Sequence, residues 1–166
     1  MADARVRRIV EDEWRELRDL RLNALADSPD SFGSTYERES SYSDEYWQEW
    51  ARQAAAGTSE TCVLAWKGED AVAMVGAYVE DGSAHAKLIA MWVAPAARRR
   101  GIGERLVEAI LAWATDAGLP LVRLKVAEGS IDARRLYERC GFAPTGHSGR
   151  YDDRPHIVTV ELERHV

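Results

Sequence analysis

The stretch Met91-Trp92-Val93-Ala94-Pro95-Ala96-Ala97-Arg98-Arg99-Arg100-Gly101-Ile102-Gly103-Glu104 gathers residue types suited to holding an anion. An apolar run breaks at a proline, three arginines follow, and a helical pattern begins through two glycines. The first amides of a helix have no partner within it and carry the positive end of its dipole, so a glycine-rich approach lets a phosphate come close. Arginines add charge-assisted hydrogen bonds. On these residues alone a second reading stays open, in which the arginines form a solvated loop and the glycines serve a tight turn. Two known phosphate loops are excluded: there is no Gly-x-x-x-x-Gly-Lys-(Ser/Thr), and Leu106 stands where Gly-x-Gly-x-x-Gly needs its third glycine.

A second informative tract is Ser130-x-x-Ala133-x-x-Leu136-Tyr137-x-x-x-Gly141-Phe142. Ser130 reads as a helix cap and Gly141 as the stop. Tyr137, a phenol of ordinary pKa near 10, keeps its proton at neutral pH and can donate it; its plainer role is packing on a sheet. Cys62 and Cys140 have neither CxxC nor Cys/His spacing, so they read as free thiols of a reducing compartment, and no metal site is expected.

The elements that must position these residues follow from periodicity and punctuation. Residues 5–10 read as a strand and 11–26 as a helix with Trp14, Leu17, Leu20, Ala24 and Leu25 on one side. Ser28-Pro29-Asp30-Ser31 is turn chemistry. A second helix starts after Ser43, with Asp44 and Glu45 near the positive dipole end, and runs to Gly57, with Trp47, Trp50 and Ala54 on its apolar face. Residues 61–66, 71–79 and 84–93 read as an antiparallel meander. A third helix spans 101–117 and ends at Gly118, a strand covers 121–126, and a fourth helix follows Ser130. A last hairpin spans 142–162 and turns near Tyr151-Asp152-Asp153-Arg154, with Val158, Val160 and Leu162 on one face. The order predicts an α/β fold, a mixed central sheet of about seven strands flanked by four helices, in one domain over residues 4–166. The helix between Val93 and Leu121 makes the strands it joins parallel neighbours.

With 166 residues, 46% hydrophobic and 30% charged, the chain has the make-up of one globular domain, needing neither metal nor disulfide. Its 22 Lys+Arg against 28 Asp+Glu give a net charge of −6, which disfavours nucleic acid or an anionic membrane as the main partner. No run approaches the roughly 18 apolar residues of a membrane helix, and the start, charged at Asp3, Arg5, Arg7 and Arg8, lacks a signal core, so a cytoplasmic location is expected.

Arg98-x-x-Gly101-x-Gly103 at a helix start resembles the (Arg/Gln)-x-x-Gly-x-(Gly/Ala) acetyl-CoA motif of the GNAT N-acetyltransferase superfamily, and the Ser130–Phe142 tract resembles that family's second signature. The resemblance covers nearly the whole chain. It implies acetyl-CoA as cosubstrate, its pantetheine arm pairing with the backbone of Met91, Trp92 and Val93. Its pyrophosphate would be held by amides of Arg99, Arg100, Gly101, Ile102, Gly103 and Glu104, with Arg98 and Ser130 adding contacts. It further implies that the strand bearing Val93 splays from its parallel neighbour to admit the cofactor, that the Val93 amide stabilises the oxyanion, and that Tyr137 protonates the departing thiolate.

Two departures from the family bear on mechanism. Ser130 stands where Asn is common, with a shorter reach. Lys87 stands where many members carry a Glu early in the strand, so the base is unassigned among Glu80, Asp81, His85, Glu128 and water. The resemblance also makes residues 27–39, acids mixed with Phe32 and Tyr36, a wall of the acceptor pocket. The expected activity is N-acetylation of an amine acceptor by direct attack in a ternary complex, with a small molecule as acceptor. Alternatives are a protein N-terminal or lysine acetyltransferase, or a non-catalytic acyl-CoA-binding module; a homodimer is compatible with each.

Overall fold

The computed structural model describes residues 3–166. Its elements run β1 (Arg5–Arg8), α1 (Trp14–Asp27), α2 (Tyr36–Glu39), α3 (Asp44–Ala56), β2 (Glu60–Lys67), β3 (Asp70–Val79), β4 (Ala86–Val93), α4 (Ile102–Asp116), β5 (Leu121–Ala127), α5 (Ile131–Arg139), β6 (Ala143–Tyr151) and β7 (Arg154–His165). Short 3-10 turns precede α1, follow it at Pro29–Ser31, and follow β4 at Pro95–Ala97. The seven strands form one sheet in the order β1-β2-β3-β4-β5-β7-β6, antiparallel except where β4 meets β5. The α/β class and the mixed seven-stranded sheet are as expected.

Alternation along the strands divides the interior between two faces. Val63 and Ala65 of β2 pack with Leu106, Val107 and Ile110 of α4, whereas Cys62 and Leu64 pack with Leu17 and Leu20 of α1 and Trp47 of α3. This is why β2 reads as a continuous apolar run rather than an alternating one. Helix α3 begins where expected, with the Ser43 hydroxyl accepting from the Tyr46 amide. Five of the six tryptophans are buried; Trp50 is half-buried.

The structure differs from expectation locally. A fifth helix beyond the four expected, α2, is one turn long; Thr35 caps it by accepting from the Arg38 amide. The first strand ends at Arg8 rather than Val10: Ile9 still donates to the Cys62 carbonyl of β2, but residues 11–13 tighten into a 3-10 turn. Ser130 occupies the N-cap position of α5, but its hydroxyl makes no cap bond and lies 3.4 Å from that of Ser31. On β7, Leu162 is buried on the face of α4, with Val160 packed beside it, while Ile157 and Thr159 are buried on the other face.

Candidate active site

β4 and β5 pair at only two positions, Ala86 with Val122 and Lys87 with Arg123. Beyond them β5 stays bonded to β7, and β4 stays bonded to β3, so the two parallel strands part. The register of β4 on β3 also slips between Met74 and Gly76, opposite Ala90, whose φ is +56°. That left-handed value in a non-glycine residue marks a bulge that bends β4 away, at a cost of about 1 kcal/mol. The parting opens a cleft of about 1890 Å³ lined by β4, β5, the loop before α4, and α5.

Of the twelve cofactor-site residues expected from sequence, eleven line this cleft; Arg100, exposed, lies outside its wall. The Ala94 amide donates to Val72 on β3, so by strand alternation the Val93 amide is turned toward the gap. Gly101 is the N-cap of α4 with φ +78°, a conformation that favours glycine, and it contributes no capping side chain. Open space surrounds the place its Cβ would take, so the first-turn amides of α4 are left for a ligand. Gly103 has a different task. A Cβ there would lie 3.0 Å from Leu136, so this glycine sets the close approach of α4 to α5. Glu104 is held by Arg139 of α5 at 2.8 Å, which pulls its carboxyl below the usual range.

The three arginines are not equivalent. Arg98 donates from Nε to the Val93 carbonyl at 2.9 Å and from Nη2 to Asp27 at 2.7 Å, so its charge is already matched within the protein. Arg99 lines the cleft in a left-handed conformation, φ +61°. The cradle therefore stands mainly on backbone amides.

Tyr137 is buried on the cleft wall, its ring edge-on to Phe142 with centroids 5.8 Å apart. Burial, with Tyr151 nearby, pushes its phenol pKa up, which keeps the proton on oxygen. Cys62 is fully buried and its thiol is pushed up to about 12, which removes it from nucleophilic chemistry. Both cysteines are free.

Among the base candidates, Glu80 is held by the Lys87 ammonium at 2.7 Å, and this bond lowers its pKa and weakens it as a base. Asp81 is an exposed turn residue away from the cleft. His85, with Nδ1 3.1 Å from the Ser83 hydroxyl, and Glu128, at the end of β5, both line the cleft. Glu161 of β7 also lines it and accepts from the Thr145 hydroxyl at 2.9 Å. Its alternation was readable, but its place opposite Lys125 depends on β5 pairing with β7, which no local signal announces.

The acids of residues 27–39 are largely committed to ion pairs: Asp27 to Arg98, Asp30 to Arg154, and Glu39 to Arg21 in a buried bidentate pair of 2.9 Å bonds. Breaking a buried pair of this kind costs about 3–5 kcal/mol. The β6–β7 turn clasps the same segment. Arg154 donates to the carbonyls of Pro29 and Phe32, and the Tyr151 hydroxyl donates to that of Ser31 at 3.3 Å. A Cβ on Gly33 would lie 2.9 Å from the Tyr151 ring. Trp50, Tyr78 and Ile89 add apolar surface to the cleft from α3, β3 and β4. Tyr151 and Arg154 read only as turn residues in sequence, and nothing local reveals their long-range partners.

The model of the GNAT acetyltransferase family matches residues 10–142. An acetyltransferase of the GNAT family from Streptococcus pneumoniae is similar over 99% of each chain, with 19% identity and a TM-score of 0.83. Ribosomal-protein-alanine N-acetyltransferase from Brucella melitensis is similar over 98% of this chain and 99% of its own, with 15% identity and a TM-score of 0.79. A Salmonella typhimurium protein described as an acetyltransferase with its cofactor acetyl-CoA is similar over 99% and 94%, at 11% identity and 0.79. At these identities the likeness is one of fold. No curated protein sequence matches.

Proposed function

The chain belongs to the GNAT acetyltransferase family, whose cosubstrate is acetyl-CoA, and on that premise we propose that it acetylates a primary amine by direct attack in a ternary complex, with a small molecule as acceptor. The observation that carries this reading is the parting of β4 from β5, which leads one continuous cleft to the uncapped start of α4. These features fit a pyrophosphate and an extended thiol arm. First-turn amides of α4 would hold the phosphates, and the free edge of β4 from Met91 to Val93 would pair with the arm; Ser130 would contact it from α5.

When bound, acetyl-CoA supplies an activated acyl carbonyl. The Val93 amide is the proposed donor to the carbonyl oxygen as negative charge grows there during attack by the amine nitrogen. The carbon–nitrogen bond forms, the carbon–sulfur bond breaks, and Tyr137 gives its proton to the departing sulfur. The neutral amine gives up one proton as it becomes an amide, to water or a cleft base, and the Tyr137 phenolate regains its proton from solvent. The clasped wall of residues 28–34 supports a small acceptor over a segment of a folded protein.

Lys87 favours a second reading, a non-catalytic acyl-CoA-binding module, because a lysine paired with Glu80 replaces a carboxylate early in β4. Release of free thiol from acetyl-CoA across a panel of small amines, amino acids and peptides tests both. Turnover with small amines supports the proposal, turnover with peptides alone redirects it to proteins, and binding without turnover establishes the module.

A further inference from the structure

One oxygen of Asp27, the last residue of α1, collects three donors. They are Trp92 Nε1 at 3.0 Å, Arg98 Nη2 at 2.7 Å and the Ser28 hydroxyl at 2.8 Å. Trp92 belongs to the end of β4, Arg98 to the loop before α4, and Ser28 opens the segment that walls the other side of the cleft. A carboxylate at the last turn of a helix meets the negative end of the dipole, and α1 has no basic residue there to offset it. Arg98 supplies that charge from 71 residues away. Its Nε also holds the Val93 carbonyl, which closes a ring of bonds through Asp27, Trp92, Val93 and Arg98.

Hydrogen bonding from Trp92, then Ser28 and Arg98, holds the Asp27 carboxyl below the usual range, so the clamp stays charged at neutral pH. The carbonyl it holds is on Val93 itself, the residue whose own amide faces the gap, so the clamp fixes the peptide that directly follows that amide. A shift of even about 1 Å at such a group lowers a rate by orders of magnitude.

We infer that Asp27 is a positioning residue for acetyl transfer: it fixes the Val93 end of β4 through Trp92 and Arg98 and couples it to the wall that begins at Ser28. The inference rests on the proposed function for its catalytic meaning, while the clamp itself is readable in the ligand-free chain. Occupancy of the α4 cradle then steadies the acceptor wall through one carboxylate, a coupling that is reciprocal.

Hydrogen exchange by mass spectrometry on the full chain tests it. In the free protein, Asp27→Ala should speed exchange about tenfold in residues 92–97 and 28–34 together while leaving β2 protected. Acetyl-CoA should slow exchange in both segments of the parent but only in 92–104 of Asp27→Ala. In steady state kcat should fall tenfold or more with acetyl-CoA affinity within about threefold, and Asp27→Asn, which keeps the acceptor oxygen, should fall between. If Asp27→Ala does not fold, Trp92→Phe and Arg98→Met each remove one donor and should loosen both segments to a lesser degree. Segments that respond independently, or kcat within twofold of the parent, overturn the clamp. A parent that releases no thiol from acetyl-CoA with any amine refutes the acetyl-transfer reading instead, and leaves the exchange coupling of the free chain as the measure of the clamp.

Discussion

The two sides of the cleft are built by different means. The cradle side, β4 to α4 and α5, is made of backbone: parted strands, a left-handed glycine and uncapped helix amides. The wall side, residues 28–39 with the β6–β7 turn, is made of side chains reaching across the chain, such as Arg154 to the Pro29 carbonyl over 125 residues and Arg38 to Asp153 over 115. Backbone devices bind what all substrates of a fold share, whereas side-chain devices can be exchanged singly without disturbing the sheet. Substitutions that obstruct these backbone devices should therefore cost cosubstrate binding most, and those on the wall should act chiefly on acceptor handling.

The sharpest division comes from Gly101→Glu. It places bulk and negative charge where a Cβ now meets open space, and it imposes strain at φ +78° of about 1–2 kcal/mol. Acetyl-CoA affinity by calorimetry should drop more than about a hundredfold in a folded variant. Gly101→Ala, which bears the strain without the charge, should lose less; unchanged affinity in Gly101→Glu would remove the cradle from the site.

Tyr137→Phe keeps the ring against Phe142 and should leave acetyl-CoA affinity intact while slowing turnover about a hundredfold, the usual worth of a general acid. Turnover within a factor of two would make Tyr137 a packing residue. Arg154→Ala should act in the opposite sense, raising the acceptor KM about tenfold through a loosened wall while the affinity for acetyl-CoA stays within twofold. A matching loss of acetyl-CoA affinity would erase the division between the two sides.

The same division explains what could be read from sequence. The Arg98–Gly103 spacing, the Ser130–Phe142 tract and the helix stops at Gly118 and Gly141 are local, so the cradle and most element boundaries were legible. Gly103 lines the cleft, but its packing against Leu136 depends on how α5 folds back. The Ala90 bulge carries no glycine or proline to announce it. Asp27 and Asp30 look available because their partners, Arg98 and Arg154, lie 71 and 124 residues away, and even Arg21, the partner of Glu39, is 18 residues away on another helix. The type and position of Ser130 predict a cap, yet its hydroxyl faces Ser31, a contact that exists only once the wall is in place.

The smallest effects should come from the base candidates, and pH separates their contribution from that of Tyr137. Lys87 lowers the pKa of Glu80, and Asp81 stands off the cleft, so neither is placed to take a proton from an incoming amine. Single Ala substitutions at Glu80, Asp81, His85 and Glu128 should each lower turnover less than about tenfold. The supply of neutral amine then governs the rate: an acceptor with pKa near 10 is only about one part in a thousand neutral at pH 7, a fraction that rises about tenfold per pH unit. Burial acts on Tyr137 in the complementary direction, since a raised pKa keeps the phenol protonated through the range in which the amine loses its proton. Turnover should therefore climb from pH 6 to pH 9 with no fall on the alkaline side, and acceptors of lower amine pKa should react faster at pH 7. A fall in rate below pH 9 that disappears in Tyr137→Phe would show the phenol ionising in that range. A hundredfold loss at pH 7 in one carboxylate or histidine variant, recovered as pH approaches the amine pKa, would identify that residue as a dedicated base.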